Sequence, residues 1–193
     1  MSAVGTIAVI GAGALGRSIA QLSVLGGFST ILEDILPASL NRAGNEIRTA
    51  FSNAVAERTL AQPVVDAALA RIEFASSVEQ AARSSDLVIE AVPDELESKI
   101  EIFTLLDKVA KPATILVSTS ALFSVTELAS VTYRAKKILG MRFSLPIDQT
   151  KPLEIIQGQE TDDAIFAAGI EVASRMGLKV VIIEETRSTA EAG

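Results

Sequence analysis

The 193-residue chain contains no histidine and no cysteine. Without cysteine there are no disulfides and no thiolate metal sites. With histidine missing too, the common zinc and iron ligand sets are gone, and no metal is expected. Basic residues never cluster beyond the pair Lys136–Lys137, and 17 Lys and Arg against 24 Asp and Glu leave a net charge of −7. Nucleic acid is therefore not an expected partner. No apolar run reaches the roughly 18–20 residues that a membrane span needs. The opening "MSAVGTIAVIG" carries no basic side chain before Arg17, unlike a secretory signal. A soluble, cytoplasmic protein away from any membrane is the expectation.

What is present is a core-forming composition, 49% hydrophobic, in a length suited to one domain. Short β-branched runs alternate with longer helix-compatible segments. The pattern predicts strands over 6–10, 30–33, 71–74, 87–90, 115–118, 138–141, 153–156 and 180–183. It predicts helices over 14–25, 37–56, 63–70, 78–83, 96–109, 125–129 and 162–176. Most strand candidates are apolar throughout, as in strands covered on both faces. Strand–helix repetition of this kind implies an α/β, doubly wound, mainly parallel sheet of about eight strands with helices on both faces. The last ten residues, 184–193, read as a frayed tail.

The most informative turn is "IAVIGAGALGRSIA", which sets Gly11, Gly13 and Gly16 between the first strand and the first helix. This G-x-G-x-x-G spacing suits a dinucleotide. Gly11 allows the tight turn, Gly13 lets a pyrophosphate approach the backbone, and Gly16 lets helix and strand pack closely. The free N–H groups where Ala14 and Leu15 open the helix would face the phosphates. Asp34 lies 18 residues past Gly16, at the end of the second strand, where a ribose-binding carboxylate belongs. Glu33 beside it would repel a 2′-phosphate, so NAD is favoured over NADP.

The resemblance extends well past this turn. "GAGALGRSIA", "DLVIEAVPDELESKIEIFTLLDK" (86–108), "ILVSTSALFSVTELA" (115–129) and "ILGMRFSLPIDQTKPLEII" (138–156) are together similar to the NAD-binding, N-terminal domain of the 3-hydroxyacyl-CoA dehydrogenase family. The resemblance implies a Rossmann-type domain over 1–185, a C-terminal tail over 186–193, and absence of the family's C-terminal helical domain. It places Ala91, Val92, Pro93, Ser118 and Thr119 along the cofactor, with Asp94 where the family usually has glutamate. Lys99 stands where the family has a lysine near the nicotinamide-side ribose. Read from the residues alone, Lys99 is equally an exposed helical lysine pairing with Glu95, four residues earlier.

The catalytic half departs from the family, whose general base is a histidine oriented by a glutamate. Arg142 occupies the histidine position and Glu154 the glutamate position, while the family's serine falls on Ala121, and its two asparagines fall on Thr119 and Leu145. A guanidinium stays protonated and has no acceptor lone pair, so Arg142 cannot take the proton of a substrate hydroxyl. Lys151 and Asp148 are the candidates to stand in, and nothing in their spacing singles out either. Ser118 and Ser120 have no neighbouring base and read as a strand-end turn rather than nucleophiles. Three readings of Arg142 stay open: an ion pair with Glu154, a grip on an anionic substrate, or a solvent-facing side chain. Three functions follow: an NAD(H)-binding relative with a degenerate Arg142–Glu154 dyad, an active oxidoreductase on another hydroxyacyl substrate (CoA- or carrier-linked, or anionic), or a non-enzymatic NAD-sensing module. A homo-oligomer or a partner subunit that completes the site is expected, because a missing helical domain would bare apolar surface.

Overall fold

The computed structural model describes residues 4–147 and 151–185. Among these, eight strands and seven helices follow one another as β1 (Thr6–Ile10), α1 (Ala14–Leu25), β2 (Ser29–Glu33), α2 (Pro37–Ala56), α3 (Gln62–Leu69), β3 (Ile72–Ala75), α4 (Val78–Ser84), β4 (Leu87–Glu90), α5 (Leu96–Val109), β5 (Ile115–Ser118), α6 (Val125–Ala129), β6 (Ile138–Arg142), β7 (Leu153–Gln157), α7 (Asp163–Arg175) and β8 (Val180–Glu184). A 3-10 turn over Ala135–Lys137 leads into β6. Asp148 and the tail over 186–193 lie outside the described residues.

The strands form one sheet in the order β3-β2-β1-β4-β5-β6-β7-β8. The first six are parallel; β7 runs antiparallel to β6, and β8 is parallel to β7. Only ten residues, 143–152, join β6 to β7, and a parallel return requires a crossover of a dozen or more residues. β1 lies between β2 and β4, so the chain order reverses there and leaves a crevice at the carboxyl ends of the strands.

Both faces of the sheet are apolar because successive side chains alternate. Ile7, Val9, Leu87, Ile89, Ile115, Val117, Leu139 and Met141 pack into one core with α1, α2, α3 and α7. Ala8, Ile10, Val88, Leu116 and Ile138 pack into the other with Phe103 and Leu106 of α5 and with α4 and α6. Near-continuous apolar strands are what this double burial demands.

The frayed-tail expectation is corrected at its first two residues. Glu184 ends β8, and the Glu185 carboxylate accepts from the amides of Val125 and Thr126 at 2.7 and 2.9 Å and from the Thr126 hydroxyl at 2.7 Å. The first amides of a helix have no partner within it, so a carboxylate there is stabilising. Glu185→Ala is expected to cost about 1–2 kcal/mol, the size of a lost helix cap. Urea unfolding measures it, and a shift below about 0.3 kcal/mol would mean that the contact carries no stability.

Candidate functional site

The crevice opens where β1 gives way to α1. Gly11 sits at φ +102°, in the left-handed region, and its N–H donates to the Glu33 carbonyl at 2.9 Å. A Cβ there would meet the Ala91 carbonyl oxygen at 2.8 Å, and a Cβ on Gly16 would run into the Gly11 carbonyl. Gly13 differs: a Cβ built on it has nothing within 4 Å. Gly13 is also the N-cap of α1, with no capping side chain and no acidic residue in the first turn. The opening helix amides therefore meet unfilled, anion-favouring space next to exposed Ala14 and half-buried Leu15. That space fits a pyrophosphate.

Asp34 follows β2 and reaches back across the crevice. Its Oδ2 accepts from the Ala12 amide at 3.0 Å and its Oδ1 from the Leu36 amide at 2.9 Å. These bonds fix the carboxylate beside the glycine turn and leave lone pairs for the hydroxyls of a ribose. Glu33, only 3% exposed, has its pKa pushed up to about 7, first by burial and then by the charges of Asp34 and Glu79.

Ala91, Val92 and Pro93 leave the end of β4 along the same edge, and Ser118 and Thr119 leave β5 beside them, with Glu90 and Ser118 in register. The exposed-lysine reading of Lys99 is overturned. Lys99 is 1% exposed and its Nζ bonds both oxygens of buried Glu90, at 2.9 and 2.8 Å, rather than Glu95. α5 turns this side chain inward, one turn after the helix starts, toward the end of β4. Burial pushes the Glu90 pKa up while the Lys99 ammonium pulls against it.

Asp94 is the residue whose part was not foreseen. It lies 3.5 Å from Lys99 Nζ, accepts from the Ser120 hydroxyl at 2.7 Å and accepts from the Ala121 amide at 3.0 Å. Burial raises its pKa, but these donors outweigh burial and hold the carboxyl below its ordinary range. Ser120 Oγ in turn accepts from the amides of Leu122 and Phe123, at 3.1 and 2.8 Å. Ser118 Oγ accepts from the Ser120 amide at 3.2 Å. The two serines are thus structural, and the 118–123 segment is held over the strand ends by Asp94. An acid four residues after Glu90 and five before Lys99 was the only sequence signal for it.

At the far end of the edge, Arg142 closes β6 directly opposite Glu154 of β7. Arg142 Nη1 bonds Glu154 Oε2 at 2.9 Å, and Arg142 Nε donates to the Ser120 carbonyl at 3.4 Å. The side chains stay 36% and 37% exposed. The ion-pair reading thus matches the geometry, and the purely solvent-facing one does not. Ala121, Leu122 and Leu145 are exposed, and so is Lys151, two residues before β7.

A sheet reversing at β1, a glycine turn with room for a pyrophosphate and an acid poised for a ribose define a Rossmann-type, dinucleotide-binding domain. The family described as "3-hydroxyacyl-CoA dehydrogenase, NAD binding domain" matches residues 6–186, and the chain belongs to it. A 3-hydroxybutyryl-CoA dehydrogenase of Bradyrhizobium diazoefficiens is 33% identical over 93% of this chain and 61% of its own length. The human mitochondrial hydroxyacyl-coenzyme A dehydrogenase is 29% identical over 93% of this chain and 59% of its own. The crystal structure of a Ralstonia eutropha (S)-3-hydroxybutyryl-CoA dehydrogenase superposes with a TM-score of 0.91 at 27% identity, covering 95% of this chain and 65% of that one. The chain therefore spans about three fifths of the length of the curated relatives it matches. The cofactor of the family domain is NAD. No described helix is long and apolar enough to cross a membrane.

Proposed function

We propose that this chain is an NAD(H)-binding member of the 3-hydroxyacyl-CoA dehydrogenase family that has lost the general base at the family's histidine position, where Arg142 stands. Gly11, Gly13, Ala14, Leu15 and Gly16 hold the pyrophosphate, and Asp34 the adenosine ribose. Ala91, Val92, Pro93, Ser118 and Thr119 form the floor along the strand ends. Lys99 serves from below, as the counter-charge that orients Glu90 and Asp94. NAD, when bound, supplies a hydride acceptor.

The observation that carries the reading is the Arg142–Glu154 ion pair. Dehydrogenating a 3-hydroxyacyl thioester requires an acceptor for the hydroxyl proton. Arg142 has no lone pair to offer, and Glu154 Oε2 is engaged by Arg142. Loss of a general base typically costs on the order of 100- to 10,000-fold in rate. The test is calorimetric titration with NAD and NADP, followed by NADH consumption with acetoacetyl-CoA. The wild type is expected to bind NAD in preference to NADP and to turn over at least about 100-fold more slowly than Arg142→His/Ala121→Ser, the scale of a restored base. Equal turnover by the two proteins sinks the missing-base argument.

The partial exposure of Arg142 favours one second reading. A guanidinium half open to solvent can grip a carboxylate or phosphate bidentately. An active enzyme of that kind acts on an anionic hydroxyacyl substrate, with a second copy or another subunit covering the exposed Leu122 and Leu145. Measurable NAD reduction with an anionic hydroxy acid, lost in Arg142→Leu, would decide for it.

A further inference from the structure

The side chain that the proposed function leaves unused is Glu33. The residue is 3% exposed, and its carboxylate makes no hydrogen bond with any described residue. No fully buried side-chain oxygen among the described residues lacks a partner, so the little surface Glu33 keeps must lie at its carboxyl oxygens. An acid enclosed this far without a donor is costly, and an apolar residue would fill the same place without that cost. Something outside the chain is therefore expected to use it. A metal ion is not indicated, because no cluster of acidic side chains among the described residues is placed to hold one.

Its position names the user. Glu33 is the last residue of β2, in register with Ile10 of β1 and Ala75 of β3. Its carbonyl takes the Gly11 amide and the next residue is Asp34, so it touches both the phosphate turn and the ribose acid. Successive residues point to opposite sides of a strand. Asp34 reaches back to Ala12, while Glu33 faces the side where α4 begins, with Glu79 of that helix as its other charged neighbour. A base joined to a ribose on Asp34 would start from the residue next to this carboxyl in the chain. Resting on the NAD reading, we propose that Glu33 reads the purine: its carboxylate accepts a hydrogen bond from the exocyclic amine of adenine, so the site selects a 6-amino over a 6-oxo base. A 6-oxo group presents a lone pair to the carboxylate where adenine presents a donor.

The probes are NAD and its hypoxanthine analogue, titrated calorimetrically at pH 8, where an acid with a pKa near 7 is mostly ionised. The wild type is expected to bind NAD at least about tenfold more tightly than the analogue, the size of a hydrogen bond to a charged group. In Glu33→Gln, whose amide both donates and accepts, the preference falls to within about threefold. Glu33→Leu serves the same comparison if the glutamine variant misfolds. A wild-type ratio near one, or a ratio unchanged by either substitution, overturns the proposal while NAD binding stands. Failure of the wild type to bind either dinucleotide overturns the cofactor reading along with it.

Discussion

Gly13→Val leaves the domain folded and removes NAD binding. The Gly13 backbone, at φ −67° and ψ −172°, is one that any residue adopts, and the added Cβ enters open space. Glycine and valine differ at an N-cap by about 1 kcal/mol or less, so the urea midpoint moves little. The valine methyls fill the volume next to the α1 amides. Losing several backbone bonds to a charged group is expected to weaken binding by at least about 100-fold. Gly16→Ala is the contrasting variant. Its methyl runs into the Gly11 carbonyl, and the fold itself suffers. Equal NAD affinity in Gly13→Val and wild type, by calorimetry, would remove the phosphate turn from the site.

Lys99→Met is expected to be the most destabilising single change in the chain. It leaves the Glu90 carboxylate, 0% exposed, with only the Val92 amide as donor at 2.9 Å. Removing one partner of a buried ion pair typically costs about 3–5 kcal/mol, or about 6–20 °C in Tm for a domain of this size. The double variant Glu90→Leu/Lys99→Met replaces both charges with apolar groups of similar bulk. It is expected to regain most of the loss, because the penalty arises from the orphaned charge and not from the missing attraction. What the double variant does not regain measures the hold of Lys99 on Asp94, and through it on the 118–123 segment. If Lys99→Met costs under about 1 kcal/mol, or the double variant is no better, the buried-charge account is wrong.

Periodicity and punctuation in the sequence carried much of this architecture. Apolar runs bounded by glycine or proline predict the bounds of β1, β4 and β5 and of α1, α2, α5 and α6 as the structure has them, and the other elements to within about a residue. The offset of twelve between Arg142 and Glu154 became a contact because β6 and β7 pair antiparallel with these two residues opposite. That sense of pairing was foreshadowed only by a connection too short for a crossover helix. Other features depend on how separate elements meet. The partner of Lys99 lies nine residues back on a strand, not one turn away on its own helix. The reach of Asp94 to Ser120 spans 26 residues, and that of Glu185 to α6 about 60. No local spacing announces such contacts. Glu33 looks in sequence like added charge beside a ribose acid, and only the strand's alternation turns it to the opposite side of the sheet.

The bond network of Glu185 has a mechanical implication. Its carboxylate rivets the exit of β8 to the first turn of α6, and α6 begins two residues after Phe123, where the segment over Arg142 ends. A pull transmitted down the polypeptide beyond β8, by whatever it is joined to or docked against, would be delivered as strain beside the guanidinium.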